Sequence, residues 1–317
     1  MKNKQKGITL CLLSALAYSM GPILGKLLYG TGFPWQVVVC CRGMIPGILV
    51  LLYAIFFARD VFNIKKKDLP LFIAYGSCIA LSSITNYCAL YYIDAAIATV
   101  LLYTLPVFTV LLSRVMLKEP LTTPKIIATF MAFMGVILII EVFKIGSVAA
   151  GSTFKVFGIP SVIFGLIIGL ASGLFGSLFT IVAAKLSRSY SGWTVNSWGY
   201  FIAFPIFFVV GIPKIATFNW TPKLMGIIFI VALVGLTAYS LYIVCMQYIG
   251  AGEASLVVTL DPVFSVTMAI VILGETLTPW QFCGCILVLG GVVFMEKGQW
   301  LIDKINPKNR KVTNSTL

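Results

Sequence analysis

Two charged residues lie near the middle of long apolar runs, where a charge is costly and therefore marks a candidate site. Arg42 lies in the apolar run 33–57, and Asp261 lies in the run 252–273. An arginine at the centre of a bilayer costs about 2.5–3.5 kcal/mol, so it needs a wet cavity or a polar partner. Its planar guanidinium group offers two parallel donors that suit a carboxylate. The sequence predicts that Arg42 binds an anionic group of a ligand, with an interhelical salt bridge or snorkelling as the alternative.

Asp261 is the second candidate because it directly precedes Pro262. A proline removes one backbone donor and frees a carbonyl group, which opens a helix locally. A carboxyl group beside such a break can carry a proton, pair with Arg42 or bind an amine of a ligand, and a static buried pair is the alternative. The chain has no histidine, so we predict Asp261 as the residue for proton coupling.

Polar and aromatic side chains recur in the neighbouring apolar runs. Such residues give a binding site apolar walls with a few fixed polar contacts. Interhelical hydrogen bonds and an interfacial aromatic belt are the alternatives for any one of them. We predict that at least two of the set contact a small-molecule substrate. The set comprises Asn86, Tyr87, Tyr103, Asn196, Trp198, Tyr200, Tyr239 and Tyr242.

Metal, cofactor and enzyme chemistry find little support in the chain. The eight cysteines form no CxxC pair, which argues against a zinc site and a disulfide framework. Neither an HExxH motif nor a phosphate-binding GxxxxGK[ST] loop occurs, so neither a metallohydrolase nor an ATP-driven pump is indicated. We expect no cofactor and no enzymatic activity.

The elements that must position these residues are membrane-spanning helices. Apolar residues make up 60% of the chain, charged residues 10%, and the mean hydropathy is +1.02; a soluble domain carries roughly 25% charged residues. Apolar runs of about 20 residues cross the hydrocarbon core as helices. The predicted fold class is all-α integral membrane. Ten transmembrane helices are predicted, at Ile8–Tyr29, Phe33–Phe57, Leu69–Tyr91, Ala95–Leu117, Pro124–Phe143, Gly158–Ala184, Trp193–Gly211, Leu224–Gln247, Gly252–Leu273 and Pro279–Met295.

The net charge of +13 is distributed as expected for a membrane protein rather than for a nucleic-acid-binding protein. Lysine and arginine lie in short connections and tails, not on one amphipathic face. Most of them fall on one side when the first helix is taken to begin in the cytoplasm. We therefore predict a multi-pass protein of the cell membrane with both termini cytoplasmic, a lipid bilayer as its surroundings, and no nucleic acid as a partner.

The chain contains an internal repeat. When Ile93 is placed over Ile249, the following residues align without a gap as far as Thr122 and Thr278. We predict a first five-helix repeat over 1–143, a connecting loop over 144–157, a second repeat over 158–297 and a cytoplasmic tail over 298–317. Because five is odd, the second copy enters the membrane from the opposite side, as in many secondary transporters. The identical pairs include Ala95/Ala251, Ala98/Ala254, Pro106/Pro262, Val107/Val263, Phe108/Phe264, Glu119/Glu275, Leu121/Leu277 and Thr122/Thr278.

The chain has two repeats that share the motifs given at the end of this paragraph. With these motifs it resembles the drug/metabolite transporter superfamily, specifically its EamA-type members. The resemblance covers about Ile8 to Met295 and implies ten helices, an inverted repeat, and export or exchange of amino acids or other small metabolites. The motifs that carry it are Ala96–Thr99, Pro106–Phe108 and Glu119–Thr122, with Gly252–Ser255, Pro262–Phe264 and Glu275–Thr278 in the second half.

The leading hypothesis is therefore a secondary transporter that works by alternating access. A channel or receptor and an intramembrane enzyme without a recognisable motif remain the alternatives. Only Arg42 is a central cation, so neutral or zwitterionic solutes are favoured over phosphate-bearing ones. Glu119, Glu253 and Glu275 are interpreted as helix-capping or loop-fixing residues. The glycine stripe that includes Gly165, Gly169 and Gly173 in 158–184 predicts close helix packing and offers a face for a homodimer.

Overall fold

The computed structural model describes residues 2–29, 34–93, 95–141, 155–156, 158–273 and 278–305, and it is predominantly helical. A short antiparallel pair, β1 (Lys155–Val156) and β2 (Ile159–Pro160), precedes α7. Two 3₁₀ helices, Arg59–Phe62 and Lys66–Asp68, connect α2 to α3. The α-helices are α1 (Lys2–Tyr29), α2 (Trp35–Phe57), α3 (Leu69–Tyr92), α4 (Ala95–Leu102), α5 (Leu105–Met116), α6 (Thr123–Ile140), α7 (Ser161–Leu186), α8 (Gly192–Ile215), α9 (Pro222–Cys245), α10 (Ala251–Val258), α11 (Asp261–Leu273) and α12 (Pro279–Ile305).

Several of these helices have the length and composition of membrane spans. Among the described residues, six helices satisfy both criteria, namely α2, α3, α6, α7, α8 and α9. Large apolar side chains such as Phe57 and Val271 point outward and are 79% and 78% exposed. Water would not tolerate so much outward apolar surface, whereas lipid does. The chain is a multi-pass membrane protein.

Two predicted spans are broken rather than continuous. The helix predicted over 95–117 divides into α4 and α5, and the helix predicted over 252–273 divides into α10 and α11. The sequence indicated the local opening at Pro262, whereas the break at Pro106 was not predicted. Pro106 and Pro262 are the cause, because neither can donate to the carbonyl group four residues before it. At each break a hydrogen bond joins residues three apart instead of four, as in a 3₁₀ turn. These bonds run from Thr104 N to Leu101 O and from Thr259 N to Leu256 O, both 3.2 Å long.

Most of the other predicted boundaries lie within a few residues of the observed ones. The largest differences are at α12, which continues to Ile305 rather than ending at Met295, and at the start of α1, which begins at Lys2 rather than Ile8. The predicted tail over 298–317 therefore begins inside a helix. The predicted loop over 144–157, apart from its two strand residues, lies outside the described residues, as does Glu275.

Helix packing relates the two halves of the chain in matched pairs. Under the predicted repeat, α7 is the counterpart of α1. Helix α1 packs on α9, and α7 packs on α3. Likewise α1 contacts α11, while α7 contacts α4 and α5. The remaining large contacts join counterparts directly, α2 with α8 and α6 with α12. Each half therefore completes its packing against the other half rather than alone.

The glycine stripe on α7 is used inside the molecule. A methyl group at Gly169 would lie 2.7 Å from a side-chain carbon of Leu101, and one at Gly173 would lie 2.8 Å from the Leu101 carbonyl oxygen. Gly165 meets Tyr92 in the same way, at 2.8 Å. These glycines allow α7 to approach α3 and the break between α4 and α5. The stripe is buried within the chain and does not form an external face for a homodimer.

The close approach at Gly173 yields a prediction about stability. In Gly173→Ala the new methyl group would press on a backbone oxygen, and overpacking of this kind costs about 1–3 kcal/mol. The matched control is Gly226→Ala on α9, where nothing lies within 4 Å of the added carbon. We expect a lower melting temperature in detergent for Gly173→Ala only. Equal melting temperatures for both variants would contradict the packing described here.

Candidate functional site

Arg42 lies in α2, and its guanidinium group faces α3 and α9. Its Nη1 atom donates to the Tyr87 hydroxyl, and its Cζ atom is 5.8 Å from the centre of the Tyr87 ring. On α9, the position of a Cβ atom at Gly235 would be 3.6 Å from Nη2 and 3.9 Å from Nε of Arg42. The side chain is half-buried, as expected for a charge that lines an internal space instead of lipid.

A group of tyrosines surrounds this arginine. Tyr239 on α9 and Tyr18 on α1 lie close enough to Arg42 to interact with it electrostatically. The Tyr239 ring centre is 5.6 Å from that of Tyr18 and 6.4 Å from that of Tyr200 on α8. We call these five residues, Arg42, Tyr18, Tyr87, Tyr200 and Tyr239, the Arg42 cluster. Five helices contribute to it, so the cluster exists only in the assembled bundle.

An aromatic wall continues from the cluster into α7 and further along α9. Phe179 packs on Tyr239 with ring centres 5.8 Å apart and on Tyr242 with ring centres 6.4 Å apart. The Tyr242 hydroxyl is 3.3 Å from Thr180 Oγ1. Tyr75 packs on Phe179, and its buried hydroxyl has no hydrogen-bond partner among the described residues. The wall therefore carries hydroxyl groups in an otherwise apolar interior.

The structure brings together some of the predicted site residues and separates others. Arg42, Tyr87, Tyr200 and Tyr239 belong to the cluster, and Tyr242 adjoins it through Phe179. Asn196 donates to Ser240 Oγ at 2.9 Å, and Asn86 Oδ1 is buried without a partner among the described residues.

Trp198 lies elsewhere. Its ring nitrogen donates to Val61 O at 3.0 Å, and its ring packs on Phe72 and Phe201. Sequence reasoning missed Tyr18 and Tyr75, although both carry the signal used for the others, a tyrosine within an apolar run.

Asp261 pairs with Tyr103. The Tyr103 hydroxyl lies in the break between α4 and α5, and it donates to the Asp261 carboxylate at the break between α10 and α11. The pairing with Arg42 that the sequence left open is not formed, because neither ion pair between described residues includes Arg42 or Asp261. One hydrogen bond thus joins the two helix breaks, one from each half.

One end of the bundle is fastened by polar contacts between the halves. We call it the basic end, and it contains Lys4, the loop between α5 and α6, and the loop between α9 and α10. Glu119 Oε1 accepts a hydrogen bond from the backbone N–H of Ala251 at 3.0 Å, so it caps α10. Lys118 adopts a left-handed conformation, with φ of 57°. It ends α5 in a turn in which Glu119 N donates to Ser113 O at 3.2 Å.

Further contacts fasten the same end. The Tyr190 hydroxyl donates to Asp68 Oδ2 at 2.6 Å and accepts from Lys65 N at 3.1 Å. The hydrogen bond to the Asp68 carboxylate raises the pKa of Tyr190 above its ordinary value. Lys4 and Glu253 form an ion pair of 3.4 Å. The interpretation of Glu119 as a capping residue agrees with its contact, and the helix that it caps belongs to the other half.

The spanning helices define the class of multi-pass membrane proteins, and a comparison with known families narrows this class to transporters. The sequence profile of the EamA-like transporter family matches residues 5–141 and again residues 163–296. The chain belongs to the EamA-like transporter family.

Individual relatives agree with this membership. The chain is 26% identical to an uncharacterized transporter of Clostridium kluyveri over 98% of each chain. It is 28% identical to the riboflavin transporter ImpX of Fusobacterium nucleatum over 94% of this chain and 99% of that one. A solved crystal structure with 14% sequence identity has a TM-score of 0.75 and covers 94% of this chain and 98% of its own. That likeness shows a shared fold.

The cap on α10 yields a prediction about stability. Glu119→Ala would leave the Ala251 N–H without its acceptor, and a lost hydrogen bond to a charged group costs on the order of 1–3 kcal/mol. The matched control is Glu253→Ala, which removes the more exposed pair with Lys4 and should cost about 0–1 kcal/mol. Thermal unfolding in detergent measures the difference. If both variants melt together, Glu119 does not hold the two halves.

Proposed function

We propose that the chain is a secondary transporter that exports or exchanges a small metabolite by alternating access, with the substrate bound at the Arg42 cluster. One observation carries the proposal. A cation lies inside the bundle with a tyrosine hydroxyl as its hydrogen-bond partner and, among the described residues, no carboxylate in an ion pair with it. A charge held in this way is costly, and charged residues within membrane spans commonly mark ligand or ion pathways.

Two inverted five-helix repeats supply the movement in this proposal. The family profile matches once in each half. The large contacts between the halves occur in matched pairs, such as α1 with α9 and α7 with α3. Both observations support a duplication. Counting the broken pairs α4–α5 and α10–α11 as single spans gives ten spans, five in each repeat. Two related bundles around one site can open to opposite sides by rocking against each other. The proposed repeats keep the predicted bounds of 1–143 and 158–297.

The proposed location is the cell membrane, with the basic end in the cytoplasm. Lysines at positions 4, 65 and 125 lie at this end, and cytoplasmic loops carry an excess of such residues. The contacts that fasten this end would then form a gate on the cytoplasmic side. These contacts would break and form again in each transport cycle.

The substrate class follows from one central cation. A carboxylate-bearing solute such as an amino acid, neutral overall or zwitterionic, would satisfy Arg42. The relative in Fusobacterium nucleatum carries riboflavin according to its name, which supports an organic metabolite as cargo. Asp261 is proposed to carry the coupled proton, because breaking its bond with Tyr103 would free both helix breaks at once.

The first test of this function is removal of the central cation. Arg42→Ala should lower the affinity for substrate roughly 30-fold or more, since truncating one partner of a buried charged pair costs about 2–5 kcal/mol. The control is Arg59→Ala, whose side chain is exposed and bonds only to Ile55 O among the described residues. Uptake by proteoliposomes, with metabolites extracted from the host cell, measures the effect. Full activity of Arg42→Ala in an inserted, folded protein would remove Arg42 from the site.

A second test concerns coupling. Asp261→Asn retains an acceptor for the Tyr103 hydroxyl but cannot release a proton, so accumulation driven by a pH gradient should disappear while exchange of substrate for substrate continues. Tyr103→Phe keeps the carboxyl group but lacks the bond whose rupture is proposed to free the helix breaks, so its response to the gradient should be weaker than that of the unmodified chain. Both activities are measured in the same vesicles with and without an imposed gradient. A response to the gradient that survives in Asp261→Asn would exclude Asp261 as the proton carrier.

A further inference from the structure

We infer that α8 is the helix that opens the basic end. Its first turns, residues 192–200, move away from α2 and α3, and water then binds polar side-chain atoms that the closed arrangement buries without partners. The inference rests on the proposed function, because alternating access requires this end to open, and it deepens that function by naming the moving helix. It comes from the enclosure of these atoms, their position around α8, and the contacts that hold α8 to the first half.

Three polar side-chain atoms in the contacts of α8 are buried without a hydrogen-bond partner among the described residues. They are the Tyr75 hydroxyl of α3, and Trp193 Nε1 and Ser197 Oγ of α8. Protein atoms enclose each of them so closely that a water molecule has almost no surface to contact. Nearly all buried polar groups in folded proteins are paired, and an unpaired one destabilises the state that encloses it. Closure of the basic end therefore carries a cost at α8.

The Tyr75 hydroxyl lies in the contact between α3 and α8. A Cβ atom at Gly199 of α8 would be 2.5 Å from Cε1 of Tyr75 and 3.1 Å from Cζ, the ring atom that carries the hydroxyl. The ring also packs on Phe179 of α7, with ring centres 6.5 Å apart, and Tyr75 is fully buried. A movement of α8 away from α3 would uncover the hydroxyl end of this ring.

The other two atoms lie on the side of α8 that packs on α2. The Trp193 ring meets the Tyr53 ring of α2 edge-on, with ring centres 5.1 Å apart. Ser197 follows Trp193 by four residues and therefore lies on the same side of the helix, where it is fully buried. Farther along this side, a Cβ atom at Gly47 of α2 would be 3.0 Å from the Phe204 ring. A movement of α8 away from α2 would uncover both polar atoms.

The start of α8 is held to the first half by contacts that water can replace. Trp198 Nε1 donates to Val61 O at 3.0 Å, and the Trp198 ring packs on Phe72 of α3 with ring centres 5.5 Å apart. Just before α8, the Tyr190 hydroxyl is bonded to Asp68. Exchanging such hydrogen bonds for bonds with water changes the free energy little, whereas a buried unpaired group gains a partner on exposure. Opening at α8 therefore restores hydrogen bonds that closure leaves unmade.

The contact between α6 and α12 has the opposite character. A Cβ atom at Gly135 would be 2.7 Å from the Gly284 carbonyl oxygen, and one at Gly284 would be 2.6 Å from the Gly135 carbonyl oxygen. The Thr278 hydroxyl donates to Glu141 at 2.5 Å at one end of this pair. None of the unpaired buried side-chain atoms among the described residues lies on α6 or α12. This pair of helices stays together and serves as the internal reference for the experiment.

Removal of the unpaired hydroxyls tests the inference in the purified full-length chain. Tyr75→Phe and Ser197→Ala each delete one unpaired hydroxyl and should raise the melting temperature in detergent by about 2 °C or more. The matched controls, Tyr242→Phe and Ser177→Ala, delete buried hydroxyls that have partners, and they should lower it or leave it unchanged. A lower melting temperature for both Tyr75→Phe and Ser197→Ala would overturn the inference.

Hydrogen–deuterium exchange of the backbone amides, read by mass spectrometry, locates the effect. Amides that are bonded in the closed arrangement exchange when their element opens, so rarer opening slows them. In Tyr75→Phe and Ser197→Ala, the amides of 192–200 should exchange about tenfold more slowly than in the unmodified chain, as expected for removal of one unpaired group. The amides of α6 should keep their rates. In the two controls, the amides of 192–200 should exchange as fast as in the unmodified chain or faster.

The outcomes separate this inference from the proposed function, because the exchange measurement needs no substrate. Unchanged exchange over 192–200 in both variants overturns the inference, and equal slowing along the whole chain, α6 included, overturns it as well. If vesicles transport a metabolite while exchange over 192–200 does not respond, the inference fails and the transporter remains. If exchange slows at α8 alone but no metabolite is transported, the opening of α8 stands and the proposed function fails.

Discussion

A positive charge in the interior of a lipid-embedded bundle is the constraint on which this structure depends. Arg42 cannot leave the bundle without entering lipid, and it cannot lie in an apolar interior without polar neighbours. The molecule meets this constraint with tyrosines from α1, α3, α8 and α9, each a large ring with one hydroxyl group. Tyrosine suits this position because its ring packs like an apolar residue and its hydroxyl solvates the charge. The site is therefore built from the packing surfaces themselves.

The two helix breaks also place polar groups between packed helices. Pro106 and Pro262 open the helices at the same position of the repeat, which leaves polar backbone groups at the middle of two spans. The breaks meet through Tyr103 and Asp261. In the aligned copy, Tyr103 corresponds to Thr259 and Asp261 corresponds to Leu105. The backbone opening is thus shared by the halves, whereas the chemistry placed in it differs between them. Such asymmetry suits a solute or proton that must occupy one position rather than two equivalent ones.

The helices and part of the site could be predicted from the sequence for a physical reason. A span is a local property of about 20 consecutive residues, and a charge within it stands out at once. Arg42 could therefore be recognised alone. Tyr18 was not recognised, and Trp198 lies apart from the cluster, because the face that a span residue presents depends on helix rotation and on which distant helix packs beside it. Likewise Pro262 indicated an opening, but the partner of Asp261 depends on a contact across 158 residues of chain.

The cap on α10 has a consequence for how the protein is made. Its acceptor, Glu119, precedes the donor, Ala251, by 132 residues. Until the ribosome has added α10, the carboxylate of Glu119 has no N–H group of that helix to accept from, and its partner within the first half is Lys125, 3.6 Å away. The emergence of α10 then supplies the missing N–H groups. Closure of this contact is a late event in biosynthesis, because the helices α7 and α8 can already pack on α3 and α2 before α10 is made.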